Sequence, residues 1–161
     1  NKQKRDVQLN KAKKSALSRN LYKVQKEKSS PELAEKTYLI QDLDHIVSRI
    51  VRQIETDKLG NVTCYTCGHY GEWKKFDCGH YISRHIMALR WDLRNLRPQC
   101  KKCNQMLYGN IDSFTKALEL ETPGIIDLLF EESRTIKKWS KEELKELIII
   151  MRSKLKNIES R

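Results

Sequence analysis

Residues 64–110, CYTCGHYGEWKKFDCGHYISRHIMALRWDLRNLRPQCKKCNQMLYGN, decide the fold. Two Cys-x-x-Cys pairs, Cys64/Cys67 and Cys100/Cys103, stand at its two ends. Each pair puts two sulfurs on one tight turn, and two such turns complete a tetrahedral thiolate site of the kind zinc prefers. The 32 residues between the pairs exceed the usual ribbon spacing, so a further structure is expected inside the bracket. Zinc is therefore read as the scaffold and the enclosed segment as the working part. Cys78 reads as a small buried residue, and His69 as a surface residue beside a site already closed by four sulfurs.

Composition limits the partners. The chain has 161 residues, with 32 Lys and Arg against 21 Asp and Glu, a formal charge of +11. Such a surplus in one small domain points to a polyanion, and nucleic acid is the usual one. No stretch approaches the ~18 apolar residues of a spanning helix. The charged opening has no signal-peptide pattern, and paired cysteines without one favour metal over disulfides and a reducing interior.

Outward from the bracket, four regions are expected: a basic segment 1–30, an amphipathic helix region 31–60, the metal-bound core 61–110 and a helical region 111–161. The first holds Lys11, Lys13 and Lys14 among its ten basic residues and reads either as a helix that forms on a phosphate backbone or as a solvated tail. Ser30-Pro31 opens the next helix, with Ile40, Leu43, Val47, Ile50 and Ile54 recurring at helical steps to about Lys58. His45 reads as a surface histidine. Trp73–Tyr81 is expected as short strands, Pro98-Gln99 as a turn, and Cys103–Tyr108 as a helix stopped at Gly109-Asn110. Trp91 and Tyr108 read as packing residues in preference to base-stacking ones. Later helices are expected at 112–120, capped by Asp112 or Ser113, at 125–134, and from Ser140, where Glu143 completes a capping-box pattern. The apolar positions Leu144, Ile148, Met151, Leu155 and Ile158 form a seam expected to pack against the 31–58 helix. The fold class is α+β, mostly helical: a small zinc-stabilised ββα-metal core, treble-clef-like, flanked by long helices.

The chemistry lies between the sulfurs. His80 comes thirteen residues after Cys67, Asn95 fifteen later, and Asn104 directly after Cys103. That order matches the HNH, or ββα-metal, nuclease motif. Phosphodiester hydrolysis needs an activated water, offset charge on the phosphate and a stabilised leaving oxygen. An imidazole near neutral pKa does the first, and one hard divalent cation, Mg²⁺ or Mn²⁺, does the others. Asn95 is expected to fix the loop and orient the imidazole, and Asn104 to offer its amide oxygen to the cation. Arg84, His85, Arg90, Arg94, Arg97, Lys101 and Lys102 surround the segment and are expected DNA contacts, as are Lys11, Lys13 and Lys14.

These pieces resemble a known family. CYTCG, GHYISR, LRWDLRN, PQCKKCN and the late SR, KW and EL pairs at 133–144 look like the NinG/Rap family of lambdoid phage recombination proteins. The resemblance implies a phage-encoded, structure-specific DNA endonuclease acting on Holliday junctions and D-loops in the host cytoplasm. The zinc arrangement is also similar to that of phage endonuclease VII resolvases. Many HNH enzymes carry an acidic residue or histidine directly before the catalytic histidine; here that position is Gly79, and Asp77 is the expected substitute cation ligand. Two coordinated nicks need two sites, so a homodimer is expected, through the 31–58 and 140–159 helices. The alternatives are a non-catalytic zinc module that binds DNA and recruits partners, and a general HNH endonuclease that cuts linear duplex equally well.

Overall fold

The computed structural model describes residues 30–160; Lys11, Lys13 and Lys14 lie outside the described residues. The chain divides into two compact units, 1–38 and 39–161. In the first, the Leu33 N–H donates to Ser30 Oγ (3.2 Å), so Ser30 caps α1, Pro31–Gln53, with Pro31 as its first residue. Everything below concerns the second unit.

Helix α1 stops at Gln53, earlier than its apolar periodicity suggests. Asp57 Oδ1 accepts the N–H groups of Leu59 and Asn61, each at 2.9 Å, and this turn competes with further helix. Strand β1, Asn61–Thr63, then pairs antiparallel with β2, Tyr70–Glu72, so the first Cys-x-x-Cys is the tip of a hairpin. Trp73–Lys75 is a 3₁₀ turn where a strand is expected. Strand β3, Phe76–His80, pairs antiparallel with β4, Leu96–Cys100, setting His80 opposite Leu96 and Phe76 opposite Cys100.

Pro98 and Gln99 are strand residues and not a turn. A two-stranded ribbon consists only of edges, where the missing proline N–H costs little, and the Pro98 carbonyl accepts from the Tyr65 N–H at 2.9 Å. After Cys100 the expected helix is a single π-helical turn, Lys102–Met106, with the Leu107 N–H reaching the Lys102 carbonyl (2.9 Å). Helix α2, Ile111–Glu121, starts from Asn110 in the left-handed region and not from a cap at Asp112 or Ser113. Helix α3 is Ile125–Ser133. Helix α4, Lys141–Glu159, opens with the capping box between Ser140 and Glu143.

Three apolar clusters hold these elements. The largest joins α1 and α4 through Leu43, Val47, Ile50, Leu144, Ile148 and Leu155, with Trp91 and Leu96 beneath them. Ion pairs Arg152–Asp42 (2.9 Å) and Arg49–Glu159 flank the seam. The apolar faces expected to make a dimer thus cover each other within one chain. A second cluster packs Leu89, Phe114, Leu118, Ile125 and Leu129, fastening α2 and α3 to the loop after β3. The third is small: Val62, Phe76 and three of the cysteines. The fold is mixed α and β, mostly helical, with two small ribbons at its centre. No helix among the described residues is long and apolar enough to cross a membrane.

Candidate active site

The hairpin tip and the end of β4 bring four sulfurs together. The Sγ atoms of Cys64, Cys67, Cys100 and Cys103 all lie within 4.8 Å of one another. Cys67 and Cys100 Sγ are 3.8 Å apart, close to the edge of a tetrahedron with metal–sulfur bonds of about 2.3 Å. The Cys100 N–H donates to Cys64 Sγ (3.3 Å), and Asn110 Nδ2 to Cys103 Sγ (3.6 Å). Burial works against ionisation of Cys64, but hydrogen bonds from Thr66 and from backbone N–H groups win and bring its thiol down to about 6. Burial, with crowding by neighbouring sulfurs, pushes Cys67 up to about 12. Four thiols with N–H donors aimed at them fit a zinc-type ion, which would let all four give up their protons.

Beside this cluster the β3–β4 ribbon, the π-turn and α1 enclose a cleft of about 310 Å³. His80, Asp77, Asn104, Arg84 and Arg90 all line it. His80 ends β3, and its Nε2 lies 3.2 Å from the Arg90 carbonyl. A carbonyl only accepts, so in the neutral ring Nε2 carries the proton and Nδ1 holds the lone pair. Burial lowers the His80 pKa below 6.5, against the opposing pull of the Arg90 and Cys78 carbonyls. The shift favours the neutral ring, the form in which an imidazole can accept a proton.

Asp77 Oδ2 accepts from Asn104 Nδ2 (3.0 Å) and from Gln105 Nε2 (2.8 Å). That leaves Asp77 Oδ1 and Asn104 Oδ1, two hard oxygens, for a divalent cation. Mg²⁺ is commonly bound by one or two such groups together with substrate phosphate and water. Among the described residues no second group of three His, Cys, Asp or Glu side chains converges besides the cysteines.

Asn95 stands apart from the cleft and is fully buried. Its Oδ1 accepts the Ile82 N–H (2.7 Å), and its Nδ2 donates to the Ile82 and Leu89 carbonyls (2.9 and 3.1 Å). It pins the loop that carries Arg84 and Arg90, and the direct brace on the imidazole is the Arg90 carbonyl. Gly79 also has a physical account. A Cβ there would lie 2.2 Å from Oε1 of Gln99, which is fully buried and donates to the Gly109 carbonyl (2.7 Å). No acidic side chain fits before His80, and Asp77 is the nearest carboxylate on the strand.

The basic residues divide. Arg84 (2.9 Å) and Arg90 (2.6 Å) both pair with Asp44 in the cleft, where Asp44 also accepts from Trp91 Nε1 (2.8 Å). Burial raises the Asp44 pKa, but these donors outweigh it and hold the carboxyl below its usual value. Arg94 is taken up by Asp92 and Glu132, and Arg97 by Glu121. Lys101 and Lys102 are exposed beside Cys67 and Cys100, facing a separate hollow with His69 and Lys75. His85 is exposed near Ser133 and Lys137 and does not line the His80 cleft. Trp91 is buried as expected, whereas Tyr108 is not: it is 89% exposed.

Sequence reasoning missed Asp44, Ser48 and Arg52, which form one wall of the cleft. They step by four along α1 as a polar row beside the apolar stripe, a pattern visible in the sequence once the helix is recognised. Gln105, the second donor to Asp77, carries no such signal.

The comparisons with known proteins agree on one family. The family model described as Bacteriophage Lambda NinG protein matches residues 1–161. The chain is 29% identical to "Protein ninG" of Salmonella phage P22 over 129 residues, covering 78% of this chain and 60% of that one. It is 26% identical to "Protein ninG" of Escherichia phage lambda (78% and 60%) and to that of Escherichia phage 933W (78% and 61%). The matched part thus spans about three-fifths of these curated relatives. No solved structure matches the chain.

Proposed function

The chain belongs to the NinG family, and from that premise and the cleft we propose that it is a metal-dependent endonuclease that cuts branched DNA, Holliday junctions and D-loops, during phage recombination. The observation that carries this reading is the meeting of His80, Asn104 and Asp77 in one cleft beside the four sulfurs. In this reading His80 Nδ1 takes a proton from water, the water oxygen attacks the phosphorus, and the P–O3′ bond breaks, with the 3′ oxygen taking a proton from solvent. Asp77 and Asn104 would hold a Mg²⁺ or Mn²⁺ ion, which would supply positive charge to the phosphate and the leaving oxygen. The Arg90 carbonyl holds the ring through Nε2, which leaves Nδ1 as the proton acceptor. Arg84, more than half exposed, exchanges its contact with Asp44 for a phosphate, while the more buried Arg90 holds the floor of the cleft. A structural zinc on the four cysteines would keep the π-turn that carries Asn104 against β3. Both active sites of a junction call for two chains. The α1–α4 apolar seam is closed within each chain, so pairing through these helices would use their outer faces, where Ile149 and Ile150 are exposed.

The test is cleavage of a synthetic four-way junction and of a linear duplex of matching sequence, with and without Mg²⁺ or Mn²⁺. Metal-dependent nicks on the junction, with little cutting of the duplex, are expected. Tight junction binding without nicks under any metal would make the protein the zinc-containing binding module, and equal cutting of both substrates would make it a general HNH endonuclease.

A further inference from the structure

Three exposed apolar side chains follow the cleft directly. Asn104 and Gln105 line it, and Met106, Leu107 and Tyr108 come next, with Met106 74% and Tyr108 89% exposed. A run of this kind is unusual on so basic a chain, because large apolar side chains in water gain nothing from folding.

The backbone beneath them is strained and firmly anchored. Tyr108 has φ 49°, Gly109 90° and Asn110 47°, three successive residues in the left-handed region. Glycine takes this conformation freely, but a bulky aromatic residue does so at a cost, and such strain persists only where the surroundings enforce it. Here they do. The Gly109 N–H donates to the carbonyls of Cys103 and Asn104 (2.9 and 3.2 Å), and the Asn110 N–H to that of Leu107 (2.8 Å). The Gly109 carbonyl accepts from buried Gln99 at 2.7 Å. Asn110 Nδ2 reaches Cys103 Sγ. The tip is thus tied to a sulfur of the four-cysteine cluster and to the ribbon that carries His80.

We propose that Met106-Leu107-Tyr108 is a rigid wedge that recognises the branch point of DNA, with Tyr108 stacking on a base exposed there. This rests on the endonuclease reading and adds its specificity element. The occupant is a nucleobase for two reasons. The tip leaves the cleft through the same turn that carries Asn104, so a phosphate seated in the cleft brings neighbouring bases to it. The turn also carries exposed Lys101 and Lys102 on a chain of +11, which favours a polyanion over an acid-poor protein surface. Apolar and aromatic side chains insert between or stack upon bases where stacking is most easily opened, and a branch point, where strands exchange between arms, is such a place. A fully stacked linear duplex offers no face to the ring, so the wedge separates branched from linear DNA without reading sequence.

The experiment uses the full chain with Ca²⁺ in place of Mg²⁺ and a four-way junction carrying 2-aminopurine at the branch point. A linear duplex with 2-aminopurine inside serves as control. Wild-type protein is expected to change the junction fluorescence severalfold and to leave the duplex signal unchanged. Tyr108→Gly removes the ring and relieves the backbone, so it folds at least as well as wild type. It is expected to lose about five- to tenfold in junction affinity and most of the fluorescence change, with duplex affinity unaltered. Tyr108→Phe is expected to restore both. Tyr108→Gly with wild-type junction affinity and signal overturns the proposal. So does loss of self-association by Tyr108→Gly in sedimentation with DNA binding intact, which would make the tip a contact between copies of the chain. Because nothing here requires cutting, a protein that gives these signals and nicks no junction keeps the wedge while losing the endonuclease reading.

Discussion

The segment 61–110 and the layer formed by α1 and α4 bury different kinds of side chain. The helical layer contributes nine aliphatic residues to one buried cluster of eleven, and Trp91 and Leu96 of the 61–110 segment complete it. The metal-turn cluster has five, three of them cysteines. Two ribbons with strands of three and five residues cannot bury enough apolar surface to hold their own loops, and an ion held by the four sulfurs would do that work. The functional side chains follow the same division. His80 and Asn104 sit on the sulfur-held part, and Asp44 and Arg52, which close the cleft, come from the helical layer. One part is fixed by a few strong bonds and presents reactive groups; the other is fixed by many weak contacts and backs them.

Breaking the first part has the largest expected effect. Cys100→Ser, or a strong chelator, removes metal whose binding in small zinc modules contributes about 10 kcal/mol or more. Elemental analysis should give one zinc per wild-type chain, and hydrogen exchange should show protection lost across 61–110 when zinc is stripped. In the second part, Leu43→Ala opens the fully buried centre of the α1–α4 seam and should cost about 2–5 kcal/mol in denaturant unfolding, with zinc content unchanged. If Leu43→Ala also releases zinc, the two parts are one cooperative unit.

Within the 61–110 segment, the strand residue Gly79 sharpens the contrast. Gly79→Ala drives a Cβ into the immobile Gln99 side chain and should cost about 1–3 kcal/mol by overpacking. The smallest expected effect is at the outer end of the helical layer. Ser140→Ala removes the cap of α4 and should cost about 1 kcal/mol, read as a shift in thermal midpoint.

His80 gives a pH test of the cleft. Burial holds its folded pKa below 6.5, so the folded state prefers the neutral ring. The stability it contributes is present above pH 6.5 and is lost as pH falls through the folded value. In the proposed reaction cleavage needs the same neutral ring, so its acid limb should have a midpoint below 6.5. The limb should be absent from the residual activity of His80→Ala.

Much of this was legible before any coordinates. The paired cysteines, the Ser140–Glu143 box and the stripe along α1 are local or periodic, and each appears where its spacing predicts, except that α1 ends before Ile54. The His80 and Asn104 assignments put both residues on one cleft because the sulfur turns bring β3 and the π-turn together. What escaped was tertiary. Arg84 and Arg90 read as free basic residues, but their partner Asp44 lies 40 and 46 positions away. Arg97 reads the same way and is paired with Glu121. A short strand leading into the first cysteine pair is expected at 62–65 and appears as β1, but β2, three residues long, is too short for alternation to register, so the hairpin could not be read. Tyr108 reads as a packing residue because aromatic rings usually pack, and nothing local announces the left-handed turn that turns it outward.

The central claim is that the imidazole of His80 does chemistry on a frame set by four sulfurs. The most direct measurement is single-turnover nicking of a four-way junction in Mg²⁺, at saturating protein, by wild type and His80→Ala of equal zinc content. The account predicts a loss of about 100-fold or more in rate with junction affinity preserved. Equal rates in the two proteins would contradict it.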